Sequence, residues 1–300
     1  MRLLIATIAL LLPALAAACG SSGGDEAPNF SATASPASLP AHTASPAPTP
    51  VPSPSDDAPL YLALGDSLSY GNGASDRSLT SFVALVAQAL GPGYGLLNLG
   101  VPGHTSDDLL NGGPLDNAIA EIQRRADDGS PGNEVAVITL EIGGNDLLNL
   151  YFNLVIPGTC PSVTESLQRP QCVQALQDAL NNYQPHLQRT LQRLQEAAPG
   201  VPLFLMTVYN PFSGGANVID ELGELSLEGN PDSPFPEGLN DIIRREAAAA
   251  GVPLVEWHPL FAGKQSQYIA GDFIHPNDAG YRAMADALTA AMAQAGLPLR

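Results

Sequence analysis

The chain has 300 residues, 45% of them hydrophobic, which suffices for a sizeable core in one large domain or two small ones. Thirty Asp and Glu residues against twelve Lys and Arg give a formal net charge of −18 at pH 7. This charge disfavours nucleic acid and anionic membrane surfaces as partners, because long-range repulsion opposes their approach. A neutral substrate fits such a surface better.

The first nineteen residues are typical of an export signal. Met1 and Arg2 precede an apolar stretch, Leu3 to Leu12, and small residues follow Pro13. The stretch is too short to span a bilayer as a stable helix. Residues 15–19, Leu-Ala-Ala-Ala-Cys, also resemble a bacterial lipobox. The segment 1–19 therefore predicts an exported protein, either a lipoprotein attached to the membrane through acylated Cys19 or an ordinary secreted protein.

Residues 20–59 consist mainly of Ser, Ala, Thr and Pro. Such a composition cannot bury enough apolar surface to offset the entropy of folding, so we expect a disordered tether. Extended like polyproline, it would reach on the order of 100 Å. The folded domain is expected over residues 60–300.

After Pro59, short apolar runs alternate with helical patterns. Strands alternating with helices predict an α/β fold, a three-layer α/β/α sandwich whose parallel sheet of about five strands is covered on both faces. The predicted strands are Leu60 to Leu64, Leu96 to Leu99, Val135 to Ile142, Val201 to Val208 and Val252 to Val255. The predicted helices lie near Ser78 to Leu90, Thr105 to Ala126, Val173 to Ala198, Leu239 to Ala250 and Asp278 to Ala295.

The third predicted helix and two long inserts carry further expectations. The helix has an apolar stripe at three- and four-residue spacing, but Pro185 should kink or interrupt it. The inserts, 147–170 and 211–236, follow the third and fourth strands. We expect them to be substrate-contacting loops; the alternative is that they are decoration stapled by cysteines.

Cys160 and Cys172 form an even pair with eleven residues between them. In an exported protein, an oxidising compartment favours a disulfide between these cysteines. Metal binding is the weaker alternative, since no CxxC and no nearby histidine completes a ligand set. We expect neither a metal nor another cofactor.

Four short motifs follow one another along the chain. Gly65-Asp66-Ser67-Leu68-Ser69 directly follows the first predicted strand, and the other three are Asn98 to Gly103, Gly143 to Asp146, and Asp272 to Pro276. Together they resemble the SGNH (GDSL-type) hydrolases, in which four such blocks supply serine, glycine, asparagine and histidine in this order. The resemblance covers roughly residues 60–296, and the flavodoxin-like sheet expected of that family agrees with the alternating pattern.

The resemblance implies a role for each motif residue. Ser67 is the expected nucleophile and His275 its general base, while Asp272, three residues before His275, orients the imidazole. The backbone N–H groups of Ser67 and Gly103 and the side-chain amide of Asn145 are the expected oxyanion hole. Gly100 competes with Gly103 for this role but more plausibly ends a strand.

Several other polar residues near these motifs favour structural roles. Asp66 and Asp146 are expected to hold their turns by hydrogen bonds to the backbone. His104 is expected at the surface, although contact with substrate stays open. Glu256, Trp257 and His258 could form a rival acid and base, but no serine motif accompanies them.

The sequence thus predicts an exported, monomeric serine hydrolase that cleaves small-molecule or lipid carboxylic esters through an acyl-enzyme. Two alternatives stay open. The acyl group could be transferred to a surface glycan in place of water, or the domain could be a non-catalytic module that binds glycan or lipid.

Overall fold

A computed structural model of the chain describes residues 57–215 and 217–300. The predicted export segment with Cys19 and nearly all of the predicted tether lie outside these residues. Within the described part, no helix combines the length and the apolar character that crossing a bilayer requires.

A single five-stranded sheet forms the centre of the domain. All of its neighbouring strands pair in parallel, and their spatial order is β2-β1-β3-β4-β5. This is the flavodoxin-like order, so the predicted fold class is confirmed. The strands are β1 Leu60–Gly65, β2 Gly95–Asn98, β3 Val135–Glu141, β4 Leu203–Met206 and β5 Leu254–Val255.

Helices connect the strands and cover both faces of the sheet. In chain order they are α1 Ser67–Tyr70, α2 Arg77–Thr80, α3 Phe82–Leu90, α4 Ser106–Asn111, α5 Pro114–Asp127, α6 Gly144–Leu150, the π-helical turn Tyr151–Val155, α7 Val163–Ser166, α8 Pro170–Ala197, α9 Val218–Glu228, α10 Leu239–Ala250, α11 His258–Phe261, α12 Gln265–Tyr268 and α13 Asp278–Gln294.

The core consists of two apolar layers separated by the sheet. Successive side chains of a strand point to opposite faces, and β1 shows this directly: Leu60, Leu62 and Leu64 join one layer, whereas Tyr61 and Ala63 join the other. Helices α5, α8 and α10 complete the first layer, and α3 and α13 complete the second. The strands are therefore buried on both sides, and their free carboxyl ends are the place for a site.

Helix α8 passes through Pro185 without a break, so the interruption expected there does not occur. Pro185 is exposed, whereas Tyr183 and Leu187 on either side of it are buried. Burial of the apolar stripe against the sheet offsets the backbone hydrogen bond that proline cannot donate.

Both inserts contain helices, in contrast to the loops expected from the sequence. The first contains the end of α6, the π-helical turn and α7, and a Cys160–Cys172 disulfide joins it to the start of α8. The second contains α9, which Asn217 caps by accepting hydrogen bonds from the N–H groups of Ile219 and Asp220. Such caps satisfy backbone donors at the helix start, which stabilises a short helix.

Candidate active site

The turn that follows β1 places Ser67 at the carboxyl edge of the sheet. Asp66 caps α1 by accepting a hydrogen bond from the N–H of Leu68, at 3.0 Å. Gly65 makes the turn possible, because a Cβ atom there would collide with the carbonyl oxygen of Glu141 and with the hydroxyl of Ser69. Ser67 is then the first residue of a helix, where backbone N–H groups have no acceptor within the helix.

The structure brings Ser67, His275 and Asp272 together in one hydrogen-bonded chain. His275 Nε2 lies 2.9 Å from Ser67 Oγ, and His275 Nδ1 lies 2.6 Å from Asp272 Oδ2. Ser67 and His275 are 208 positions apart in the sequence. This is the geometry in which a base takes the proton of a hydroxyl while a carboxylate orients the far ring nitrogen.

The loop that carries His275 is held from several directions. Asp272 Oδ1 accepts the backbone N–H groups of Ile274 and His275, at 3.0 and 2.9 Å. Buried Tyr209 donates its hydroxyl to the carbonyl of Ile274 at 2.7 Å. Phe273, between these anchors, has a φ of 63°, a left-handed conformation that bulky residues rarely adopt.

Asp272 is held in its charged form. Burial acts to raise its pKa, but hydrogen bonds from the His275 side chain and from the backbone of His275 and Ile274 outweigh burial, and the pKa lies below its ordinary value. A carboxylate at this position fixes the imidazole and favours its protonated form during reaction.

Asn145 is the second residue of α6, the helix that follows β3, and its side chain lies beside the turn before Ser67. Its Nδ2 donates to Asp66 Oδ2 at 3.1 Å and to the carbonyl of His104 at 2.9 Å. The amide therefore links the turn before Ser67 to the loop that contains Gly103. Gly103 has a φ of 82° and open space where a Cβ would lie, whereas a Cβ on Gly100 would meet the backbone of Ser69 and Tyr70. Gly100 thus packs against α1, and Gly103 lies on the open side.

Asp146, the next residue of α6, binds the helix that follows the Gly103 loop. Its carboxylate accepts the N–H of Ser106 at 3.0 Å and the hydroxyl of Ser106 at 2.6 Å. Burial raises the pKa of Asp146 above its ordinary value, although the hydrogen bonds from Ser106 oppose this shift. Asp146 thereby ties the start of α4 to the start of α6, in line with the scaffold role expected for it.

Glu141 forms a buried carboxyl pair with Asp66, a contact that the sequence analysis missed. The exposed fractions of the two side chains are 1% and 2%, and within the described residues neither carboxyl oxygen of Glu141 has a hydrogen-bond donor. Burial raises the pKa of both groups, and the charge of Asp66 raises that of Glu141 further. The raised pKa favours the neutral form of Glu141 over a second buried charge beside Asp66. The available signal was a single acidic residue ending an otherwise apolar strand.

The Glu256-Trp257-His258 segment has structural contacts, as the sequence analysis favoured. Trp257 is fully buried. The His258 nitrogens lie 3.2 and 3.3 Å from carboxylate oxygens of Glu224 and Glu228, both on α9. His104 is partly buried, and its contact with the site is the carbonyl that Asn145 Nδ2 approaches.

An apolar cavity of about 150 Å³ opens beside the triad. Ser67, Asn145 and His275 are among the residues that line it, and both inserts supply its walls. The described residues contain no group of three or more His, Cys, Asp or Glu side chains that could hold a metal ion.

An open parallel sheet with a hydrogen-bonded serine, histidine and aspartate at its carboxyl edge defines an α/β hydrolytic enzyme with a serine nucleophile. The sequence model of the GDSL-like Lipase/Acylhydrolase family matches residues 63–283, and the chain therefore belongs to that family. It is a carboxylic ester hydrolase.

Individual relatives are distant in sequence. The chain is 23% identical over 235 residues to the spore germination lipase LipC of Bacillus licheniformis, a match that covers 77% of this chain and 95% of LipC. The lipase Lip_vut3 from a goat rumen metagenome superposes with a TM-score of 0.54 at 21% identity, covering 78% of this chain and 97% of Lip_vut3. A catalytic mutant of the acetylxylan esterase Axe2 of Geobacillus stearothermophilus superposes with a TM-score of 0.53 at 17% identity, covering 78% and 94%.

Proposed function

We propose that the protein hydrolyses carboxylic esters through an acyl-enzyme on Ser67. The observation that carries the proposal is the continuous hydrogen-bonded chain from Ser67 Oγ through His275 to Asp272. In the first step, His275 Nε2 accepts the hydroxyl proton while Ser67 Oγ attacks the ester carbonyl. The tetrahedral intermediate collapses as His275 returns that proton to the departing alcohol. Water, deprotonated by His275, then attacks the acyl carbon, and His275 returns that proton to Ser67 Oγ as the acid departs.

Three donors are proposed to stabilise the charge that builds on the carbonyl oxygen. They are the N–H of Ser67 at the start of α1, the N–H of Gly103 and the side-chain amide of Asn145. The amide is already oriented by Asp66 and by the carbonyl of His104. The oxyanion would replace one of these acceptors, so little reorganisation is needed during the reaction.

Substitution of Ser67 tests the assignment directly. S67A should lose nearly all hydrolysis of p-nitrophenyl butyrate, because it lacks the hydroxyl that is proposed to carry the acyl group. S69A is the matched control, since the Ser69 hydroxyl donates to the carbonyl of Leu64 at 3.1 Å. A fluorophosphonate probe should label the wild type and S69A but not S67A. Absence of labelling in folded wild-type protein would instead support a binding module.

Export, a lipid anchor on Cys19 and a monomeric state are also proposed. The apolar segment that precedes Cys19 and the Cys160–Cys172 disulfide support export, since such bonds persist in oxidising compartments. Mass spectrometry of the mature N-terminus tests the anchor. A lipid-modified Cys19 would support the anchor, and an unmodified N-terminus downstream of Cys19 would contradict it.

A further inference from the structure

The cavity beside the triad is lined largely by the two inserts that the sequence analysis expected to contact substrate. One wall comes from α6 and the π-helical turn, with Leu147, Tyr151 and Leu154 facing the space. The opposite wall comes from α9, with Ile219 and Leu222. Both walls follow the carboxyl ends of strands, β3 and β4, and therefore stand beside Ser67.

The chemistry of the lining selects an apolar ligand. Leu147, Leu154 and Leu222 are only partly buried, so a ligand in the cavity would remove apolar surface from water. Among the described residues that line the cavity there is no Lys or Arg. A phosphate or carboxylate group would find no opposite charge there, whereas an alkyl chain would be in contact with carbon.

The cavity suits the acyl half of the ester better than the alcohol half. His275 gives its proton to the departing alcohol, and its loop faces solvent: the Asp272 side chain is 46% exposed and Phe273 is 66% exposed. The alcohol can therefore leave and water can enter at that edge. The acyl group stays on Ser67 through the second half of the reaction, so the apolar space beside Ser67 serves the half of the ester that remains bound.

We propose that this cavity is an acyl-chain subsite, and that the preferred substrates are esters of medium-chain fatty acids, of about six carbons. This inference rests on the acyl-enzyme mechanism above. The length follows from the volume: the cavity measures about 150 Å³, and an apolar cavity of that volume binds benzene, a molecule of six carbon atoms.

A series of p-nitrophenyl esters below their aggregation concentrations measures the subsite in the wild-type protein. From acetate through butyrate to hexanoate, kcat/KM should rise about fourfold for each added methylene, the gain expected from burying that group. The rise should level off near hexanoate or octanoate, when the cavity is full. A flat or falling series with measurable acetate hydrolysis would overturn the subsite and leave the hydrolase intact. No hydrolysis of any ester by folded protein would overturn both.

A second series separates the two halves of the substrate. Methyl, butyl, hexyl and octyl acetate have a constant acyl group, and acid release by titration reports their turnover. An acyl subsite predicts little change in kcat/KM along this series. A steep rise here, with a flat p-nitrophenyl series, would assign the cavity to the alcohol and overturn the proposal.

Two filling variants, one on each wall, locate the subsite. L154W and L222W should lower the ratio of hexanoate to acetate kcat/KM at least tenfold while acetate hydrolysis persists. F152W is the matched control on the same turn as Leu154, because the Phe152 side chain is 55% exposed. The ratio is independent of the fraction of folded enzyme, so partial misfolding does not change it. An unchanged ratio in both filling variants would overturn the proposal.

Discussion

Asn145 donates a hydrogen bond to Asp66, the residue immediately before Ser67, with Nδ2 and Oδ2 3.1 Å apart. The contact joins the first and third motifs of the chain, 79 positions apart. Asp66 also caps the helix that begins with Ser67 and meets Glu141 from below. The buried carboxyl group of Asp66 thus holds both the turn that carries Ser67 and the proposed oxyanion donor Asn145.

The first prediction concerns that donor. N145A should lower kcat on p-nitrophenyl butyrate by on the order of 10² to 10³, because the charge on the carbonyl oxygen develops only in the transition state. KM should change little. N149A is a suitable control, since Asn149 is an exposed asparagine on the same helix. An effect on KM alone would mean that Asn145 binds substrate without stabilising the oxyanion.

The second prediction concerns the Glu141–Asp66 pair. Burial raises the pKa of Glu141 in the folded protein. Above the ordinary pKa of a glutamate, the folded protein therefore keeps a proton on Glu141 that the unfolded chain has released. Stability should therefore fall as pH rises above that value, by up to about 1.4 kcal/mol per pH unit until the folded pKa is reached.

Two variants separate the titration of Glu141 from its polarity. E141Q keeps a polar side chain beside Asp66 without a titrating proton, so its unfolding free energy should depend less on pH than that of the wild type. E141L removes the polar side chain and should lower kcat as well as stability, because Asp66 then faces only apolar atoms on that side. Denaturant unfolding at pH 5, 7 and 9 checks this. Parallel pH profiles for wild type and E141Q would refute the titration of Glu141.

The sequence predicts the sheet from its alternating apolar runs, and it predicts the convergence of Ser67, Asp272 and His275 through the resemblance of four motifs to one family. Parallel strands bring their carboxyl ends to one edge, so residues that directly follow strands, such as Ser67 and Asn145, converge there. The contact between Glu141 and Asp66 requires the register of β1 against β3, which places Gly65 opposite Glu141. No local pattern determines a register between strands that lie about 70 positions apart.

The helical character of the second insert was missed for a related reason. Its eleven-residue helix α9 contains Gly223, and glycine lowers helix propensity. Contacts from outside the segment compensate: Asn210 donates to Asp220 and Glu224, and His258 pairs with Glu224 and Glu228. These partners lie on other elements, so propensity within the insert could not indicate the helix.

The third prediction concerns His258 and the pH dependence of α9. Burial acts to lower the pKa of His258, but the hydrogen bond to Glu224 and the charges of Glu228 and Glu224 outweigh burial and the repulsion by Arg244, so the pKa is raised. A raised histidine pKa contributes stability that is present below the ordinary value near 6.5 and is lost as pH rises through the folded pKa.

H258Q should therefore be less stable than the wild type at pH 6, by on the order of 1 kcal/mol or about 2–4 °C in Tm. The difference should shrink as pH rises toward 9. Calorimetry at pH 6, 7.5 and 9 provides the measurement. R189Q is a control for loss of a hydrogen-bonding side chain, because Arg189 lies on exposed helix surface and contacts Gln192. A difference that is constant with pH would show that His258 acts only by packing.

The fourth prediction concerns the Cys160–Cys172 disulfide. The bond closes a short loop, with a sequence separation of 12. Closing a loop of about this length lowers the conformational entropy of the unfolded chain, which stabilises the folded state by about 3 kcal/mol. Both sulfur-bearing residues also line the cavity. The double variant C160A/C172A should therefore lower Tm, by roughly 6–12 °C if the whole domain unfolds together, and should also weaken the preference for hexanoate over acetate.

Reductant provides the matched comparison for this variant. Dithiothreitol should lower the Tm of the wild type toward that of C160A/C172A and leave the double variant unchanged. Acetate hydrolysis should persist in both, because the triad lies at the start of α1 and on the loop before α13, neither of which the disulfide joins. Loss of acetate hydrolysis in parallel with the hexanoate preference would show instead that the disulfide supports the catalytic residues themselves, rather than the wall of the cavity.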